Sequence, residues 1–193
     1  MPDLPATTHR AVTLLRELGA ESIAHPGGTL LTHLQRVQAR LATWKARPAL
    51  QLAGLCHAFY GTDGFPTVLL PLDRRNDLAA VIGAEAEAIV YLYASCDRKA
   101  TYPALDRADA AFRDRFDGHS SFPGAQLCRD FTELSAANEL DLAIIDSAFR
   151  EKWGHELLAL FARLQDLLSA AAWSECRTVL ATSASQLTDN RPL

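Results

Sequence analysis

The sequence predicts an all-α fold, built as a single-domain bundle of about seven or eight helices. Apolar residues recur at helical spacing along most of the chain, no segment alternates convincingly as a strand does, and proline and glycine separate the helical segments. With 193 residues, 49% of them hydrophobic and 22% charged, the chain can bury a full core in one domain. We expect that domain to span residues 1–183 and a flexible tail to occupy residues 184–193.

The N-terminal part of the chain predicts two amphipathic helices separated by a turn. Thr7 or Thr8 is placed to cap the first helix, and Gly19 marks its end. The Pro/Gly turn AHPGG precedes the second helix, whose apolar stripe advances by four, three, four and three residues. The stripe consists of Leu30, Leu34, Val37, Leu41 and Trp44. His33 lies beside it and is predicted to face inward, whereas Arg36 falls on the predicted solvent side.

The most apolar stretch of the chain, residues 50–60, predicts a buried helix that Pro48 opens and Gly61 closes. His57 lies in this stretch, so its ring is expected in the interior. One interpretation is a core histidine whose nitrogens are satisfied by backbone carbonyls or a hydroxyl. The other is a shared site with His33, because antiparallel helices joined by a short turn can bring inward side chains together.

Further helices are predicted downstream. They cover residues 74–82, 84–98, 103–116, 131–145, 149–169 and 173–182. In the fourth of these, Asp141 falls on the apolar stripe and Asn138 lies at its edge, which asks for an explanation because an isolated buried acid is costly. The segment 117–124, DGHSSFPG, is predicted as a loop, either a solvated connection or a lid carrying His119.

Composition excludes several classes of protein. The net charge of −4 and the scattered lysines and arginines argue against nucleic acid and anionic membranes as partners. The four cysteines form no C-x-x-C pair, which disfavours zinc-ribbon and thioredoxin-like sites. The N-terminus lacks a basic region followed by an apolar one, and no apolar run approaches membrane length. We therefore expect a cytoplasmic protein.

The inward histidines, with an oxygen donor from a distant helix, form the kind of set that binds a first-row transition metal such as Fe, Mn or Zn. The candidate ligands are His33, His57, His25, Asn138 and Asp141. Candidates for acid/base work and substrate anchoring are His57, Asp63, Asp97 and Arg98, although the two aspartates also suit a turn and a helix end. Candidates for binding a small organic substrate are Tyr60, Thr62, Phe65 and Tyr93.

Two segments of the sequence resemble motifs of the HD-domain superfamily. This superfamily includes the alarmone hydrolase domains of the stringent response and the inositol-oxygenase-like di-iron enzymes. THLQRV places His33 in the role of the first histidine, and AGLCHAFYGTDGF places His57 in the second. VIGAEAEAIVYLY resembles the helix that follows in the alarmone hydrolases. The resemblance spans roughly residues 29–142. HPGGTLLTHL and GLCHAFYGT are also similar to an uncharacterised bacterial family, which implies no known activity.

This resemblance implies an HD-like helical domain that binds a divalent metal, but ligand positions differ. Ala58 stands where the superfamily has the aspartate that follows the second histidine. Asn138 aligns with the final aspartate, and a three-residue shift would select Asp141 instead. Gly61 and Thr62 replace the acidic pair of the alarmone hydrolases. Hydrolysis by a metal-activated water needs both charge neutralisation and a base, so the site is short of carboxylates for that reaction.

Three functions follow from this reading. The first is a divergent metal-dependent enzyme acting on a small organic or anionic metabolite, as a hydrolase, a lyase or an O₂-dependent oxidase. The second is a degenerate, metal-free HD-fold protein that binds a ligand or serves as a subunit, and the third is a metal-free acid/base enzyme using His57. Trp153 and Trp173 are candidates either for the core or for a homodimer face.

Overall fold

The computed structural model of the chain describes residues 3–107 and 109–181. Within these residues it forms nine α-helices and two small antiparallel sheets, which confirms the all-α prediction. The helices are α1 (Leu4–Glu17), α2 (Leu30–Thr43), α3 (Pro48–Cys56), α4 (Arg75–Ile82), α5 (Ala84–Ser95), α6 (Arg98–Thr101), α7 (Ala125–Ile145), α8 (Ser147–Arg163) and α9 (Ala170–Leu180). The predicted tail at 184–193 lies outside the described residues.

The Pro/Gly turn before α2 is a short hairpin. Its strands are β1 (Ala24–His25) and β2 (Gly28–Thr29), and the turn between them contains Gly27 in the left-handed region, at φ 75°. The Thr29 side chain then accepts a hydrogen bond from the Thr32 backbone N–H and caps α2. The hairpin is thus fixed to the start of the helix that carries His33.

Helices α2 and α3 form the predicted antiparallel pair. The predicted stripe of α2 is buried from Leu30 to Trp44, and α3 is buried nearly all round. Gly54 lets the two helices approach closely, because a Cβ atom built there would lie 2.5 Å from Leu41 Cδ1. Close packing of this pair sets the distance between His33 and His57.

The predicted end of the central helix is wrong. Helix α3 stops at Cys56 rather than continuing to Gly61, which has φ 68°. The Phe59 carbonyl accepts hydrogen bonds from the N–H groups of Leu69 and Leu70, at 3.0 and 2.9 Å. Backbone pairing with a distant segment therefore replaces the next helical turn, which periodicity within one segment does not reveal.

The predicted helix at residues 103–116 is also wrong. Its described residues form a 3-10 turn at Tyr102–Ala104 and then the strand β3 (Phe112–Arg113), which pairs with β4 (Ser120–Ser121) inside the segment predicted as a loop. The Arg115 N–H donates to the Ser95 carbonyl at 2.7 Å. Pairing with the end of α5 holds this segment extended.

The predicted capping of α1 by Thr7 or Thr8 is wrong as well. The helix already begins at Leu4, with Pro5 in its first turn, and Thr7 is buried inside it. Proline suits the first turn of a helix because that position needs no backbone N–H donor. The predicted stop at Gly19 is confirmed by its φ of 81°.

Helix α7 is the longest described helix and packs against α2, α3, α5, α8 and α9. The end of α3, the start of α2 and the middle of α7 meet near the β1–β2 hairpin, and this junction holds the candidate site. None of the helices in residues 3–107 and 109–181 combines the length and apolarity needed to cross a membrane.

Candidate functional site

A cavity of about 320 Å³ opens where α2, α3 and α7 meet. Seven residues predicted from the sequence line it: His25, His33, His57, Thr62, Phe65, Arg98 and Asn138. Its volume is at the lower end of the range for pockets that hold small molecules. The wall also contains apolar side chains, namely Leu30, Leu142 and Phe149.

His33 occupies the centre of the site. Its Nδ1 lies 2.7 Å from Asp141 Oδ2, and its Nε2 lies 3.1 Å from Asn138 Oδ1. Asn138 and Asp141 are nearly one turn apart on α7, so one face of that helix presents both partners to the ring. The residue is 1% exposed. Its orientation is therefore fixed from two sides.

Arg36 explains the acid on the apolar stripe of α7. Its Nε donates to Asp141 Oδ1 and its Nη2 donates to Asp141 Oδ2, each at 2.8 Å, which forms a bidentate pair. Burial alone would raise the pKa of Asp141, but the hydrogen bonds from His33 and Arg36 hold the pKa at about 2. Asp141 is thus a carboxylate at neutral pH. The sequence had placed Arg36 on the solvent side, and the unexplained Asp141 was the signal that a cation was needed.

His57 follows the last residue of α3. Its Nδ1 lies 2.8 Å from the Gly54 carbonyl, to which it donates, and its ring centroid is 5.3 Å from that of His33 with the planes 80° apart. Burial and the proximity of His33 lower the pKa of His57 to about 3, so the ring is neutral at pH 7. With the proton on Nδ1, Nε2 carries a lone pair. The prediction that His33 and His57 come together in the interior is confirmed.

His25 reaches the site from β1. Its ring stacks on His33 with centroids 4.0 Å apart and planes 23° apart, and its edge contacts Phe65. Burial and His33 lower the pKa of His25 to about 4. Its Nδ1 is buried without a hydrogen-bond partner among the described residues. A buried polar atom of this kind calls for a water molecule or a ligand group.

Arg98 and Glu139 form an ion pair in the cavity wall, with Nη1 and Oε1 3.2 Å apart. Arg98 Nη2 donates to the Tyr93 hydroxyl at 2.9 Å, while its buried Nε has no partner among the described residues. Glu139 was not predicted from the sequence. It lies next to Asn138, but its partner is 41 residues away, and no local pattern marks such a pair.

The other predicted site residues lie outside the cavity wall. The Tyr60 hydroxyl donates to Glu87 at 3.0 Å, away from the histidines. Tyr93 packs edge-on to His57, with ring centroids 5.3 Å apart. Asp63 accepts from the Arg98 backbone N–H at 3.2 Å, and Asp97 caps α6. Asp63 and Asp97 therefore serve the turn and the helix end that were the alternatives to catalysis.

A transition metal fits His33, His57 and Asn138 better than the other predicted ligands. Ligating histidines commonly donate their second N–H to a carboxylate or carbonyl, as these two do through Nδ1. With a proton on Nδ1, the other ring nitrogen of His33, Nε2, offers a lone pair beside Asn138 Oδ1. The separation of 3.1 Å matches two ligands about 2.1 Å from one ion at a right angle. A proton on Nε2 or a turned amide would satisfy the same contact.

His25 and Asp141 fit a shared ion less well. A metal lies close to the plane of each imidazole that binds it, and the stacked planes of His25 and His33 do not meet between the rings. Both oxygens of Asp141 are engaged by His33 and Arg36. Within the described residues no group of three or more His, Cys, Asp or Glu side chains has ligand geometry, so a metal ion held here would need the Asn138 amide as a donor.

Residues 14–98 match the profile of a family described as a domain of unknown function (DUF6817). The match covers less than half of the chain and includes His25, His33 and His57, whereas Asn138 and Asp141 lie outside it. Comparisons with curated proteins and with solved structures give no match.

Proposed function

We propose that the cavity is the active site of an enzyme that acts on a small polar or anionic metabolite with a divalent transition metal held by His33, His57 and Asn138. One observation carries this proposal. Two imidazoles lie 5.3 Å apart in one cavity wall, and the Nδ1 of each is tied to an acceptor, Asp141 or the Gly54 carbonyl. This arrangement leaves His57 Nε2 to a ligand in the cavity and places His33 Nε2 next to Asn138 Oδ1, the third proposed donor.

The groups that hydrogen-bond to the two histidines favour this use of the rings. The Asp141 carboxylate fixes the proton of His33 on Nδ1, and Arg36 keeps that carboxylate ionised. The Gly54 carbonyl does the same for His57. Partners of this kind orient ligating rings and raise their basicity. When bound, the ion supplies Lewis-acid polarisation of a substrate oxygen.

Arg98 and Glu139 are the substrate-binding pair in this proposal. The buried Nε of Arg98 needs an acceptor, which a carboxylate, phosphate or carbonyl oxygen of a metabolite supplies. Glu139 is 9% exposed and accepts a hydrogen bond from a substrate hydroxyl or amine. Leu30 and Phe65 form part of the apolar wall that limits water around the bound molecule.

The resemblance to the HD-domain superfamily supports the same site. His33 and His57 stand at its two histidine positions, while Ala58 and Asn138 replace carboxylates. A bound ion would keep more positive charge here than in a carboxylate-rich site. This charge favours Lewis-acid chemistry or binding of an anionic substrate over two-metal hydrolysis.

A cobalt titration tests the proposal. The chain, purified without a histidine tag and stripped with EDTA, is titrated with Co²⁺ and followed by visible absorption. We expect saturable binding that His33→Gln and His57→Gln each weaken by about tenfold or more. The matched control is His155→Gln, because His155 is exposed on α8. Wild-type binding no tighter than that of the His57→Gln variant would overturn the proposal.

A metal-free acid/base enzyme is the second candidate. Asn138 Oδ1 lies at hydrogen-bond distance from His33 Nε2, which satisfies that ring without an ion, and His57 keeps a neutral Nε2 for proton transfer. This candidate predicts equal melting temperatures in EDTA and in excess Zn²⁺. It also predicts that the imidazole ¹⁵N signals of His57 stay unchanged when Zn²⁺ is added.

A further inference from the structure

Arg36 contacts two separate parts of the molecule. Besides its two hydrogen bonds to Asp141, it donates through Nη1 to the Gly27 carbonyl at 3.3 Å and through Nη2 to the Pro26 carbonyl at 3.2 Å. Pro26 and Gly27 form the turn of the β1–β2 hairpin. A single guanidinium therefore bridges the hairpin turn and the carboxylate that orients His33.

The hairpin is one wall of the cavity. Ala24, His25 and Pro26 line it, and the His25 ring stacks on His33. The strands are closed at their base by a 2.8 Å hydrogen bond from the Leu30 N–H to the Ile23 carbonyl. Any movement of the turn thus changes the wall beside His33.

The turn is also seated tightly on α7. A Cβ atom built on Gly27 would lie 2.5 Å from Ile145 Cγ2, and the φ of 75° is one that other residues rarely adopt. A side chain at this position would push the turn away from α7, because its clash is with Ile145, whereas its Cβ would meet Arg36 Nη2 only at 3.4 Å, an ordinary van der Waals distance. The two ends of the Arg36 bridge can therefore be perturbed separately.

We propose that Arg36 is a positioning residue that latches the β1–β2 hairpin against the cavity and, through the same guanidinium, holds Asp141 against His33. The inference rests on the proposed function, since it couples closure of the cavity wall to the orientation of a metal-binding ring. Arginine suits this role because its planar fork offers five donors in fixed directions. The single nitrogen of lysine cannot reach the carboxylate and both carbonyls together.

Amide exchange and imidazole NMR test the two halves of the latch. In Arg36→Gln we expect the Leu30 amide to exchange about tenfold faster or more, the His33 Nδ1–H signal to shift, and Co²⁺ affinity to fall. In Gly27→Ala we expect faster Leu30 exchange while the His33 Nδ1–H stays protected from solvent exchange by its bond to Asp141, although displacement of the stacked His25 ring shifts its signal. Arg36→Lys should fall between wild type and Arg36→Gln in both readouts.

A double variant shows whether the effect of Arg36→Gln comes from the lost hairpin contacts or from general destabilisation. Arg36→Gln alone leaves Asp141 short of a partner, so Arg36→Gln/Asp141→Asn removes the uncompensated charge, and fast Leu30 exchange should persist in it. If the Leu30 amide exchanges at the wild-type rate in both Arg36→Gln and Arg36→Gln/Asp141→Asn, Arg36 does not hold the hairpin and the proposal is overturned. Faster exchange with unaltered His33 signals and Co²⁺ affinity in Arg36→Gln would overturn the coupling. If the wild type binds no Co²⁺ but exchange and His33 signals respond as expected, the latch stands and the proposed function fails.

Discussion

His33 is the residue through which the polar groups of the site are connected. It contacts Asp141 and Asn138 on α7, stacks on His25 and meets His57 edge-on. The inward position of both central histidines could be predicted from helical spacing. Asn138 and Asp141 were also predicted as partners of the histidines, but Arg36 was not, because it is 105 residues from Asp141 and the stripe of its own helix placed it on the solvent side.

Replacing Asp141 should be costly for folding. Asp141→Asn removes a buried carboxylate that binds Arg36 and His33, and we expect the free energy of unfolding to fall by about 3 kcal/mol. Urea denaturation measures the change. Asp109→Asn is the matched control, because Asp109 pairs with Arg107 on the surface and should contribute less than about 1 kcal/mol. Equal losses in the two variants would show that the buried network contributes nothing special.

A carboxylate added at position 58 should strengthen the proposed metal binding. Ala58 lines the cavity and is 2% exposed, so Ala58→Asp adds a charged oxygen donor beside His57. We expect Co²⁺ affinity to rise by about tenfold or more and, in EDTA, the free energy of unfolding to fall because an unpaired charge is buried. Ala58→Asn adds the same volume without charge. Affinity that is no higher in the aspartate variant than in the asparagine variant would contradict the assignment.

The pH dependence of stability should include a contribution from Glu133, away from the cavity. Burial raises the pKa of Glu133 above its usual 4.5, although Ser169 donates a hydrogen bond to it. Because the folded pKa is the higher one, the contribution is present below 4.5 and is lost as pH rises through the folded pKa. Glu133→Gln keeps an acceptor for Ser169. Melting curves from pH 4 to 8 should show the variant gaining on the wild type as pH rises, and a constant difference would refute this.

At the scale of elements, the helices that were predicted correctly are those whose own residues determine them. Helix α2 has a regular stripe and a threonine cap, so its position followed from the sequence. Helix α3 is apolar on all sides, and nothing local indicated that Leu69 and Leu70 would bind the Phe59 carbonyl and end it early. The segment 103–116 failed for the same reason, since pairing with the end of α5 overrides its helical spacing.

The α2–α3 contact should control both stability and the site. Gly54→Val places carbon atoms where Leu41 now packs, so the helices must separate and the His33–His57 distance must grow. We expect the free energy of unfolding to fall by about 2 kcal/mol and Co²⁺ binding to weaken in the same variant. Gly124→Ala is the control, because nothing lies within 4 Å of a Cβ atom built there. If Gly54→Val lost stability but bound Co²⁺ as tightly as the wild type, the packing of α2 on α3 would not determine the geometry of the site.

At the scale of the molecule, the cavity collects side chains from α2, α6, α7, the end of α3 and the β1–β2 hairpin. Patterns within single segments placed His33, His57 and Asn138 in or beside apolar stretches, whereas His25, Thr62, Phe65 and Arg98 were candidates from turns and a helix end next to them. The Arg98–Glu139 pair and the Arg36 bridge arise only when distant elements pack together. The positions of the histidines could therefore be predicted from local patterns, whereas their charged neighbours depend on how distant elements pack together.

Anomalous diffraction from crystals soaked in Co²⁺ tests the central claim most directly. We expect one peak in the cavity, bonded to the Nε2 atoms of His33 and His57 and to Asn138 Oδ1, at about 2.0–2.2 Å from each. We also expect the peak to vanish in His57→Gln crystals. Peaks confined to exposed histidines such as His119, with His33 Nε2 still 3.1 Å from Asn138 and nothing between the rings, would contradict it.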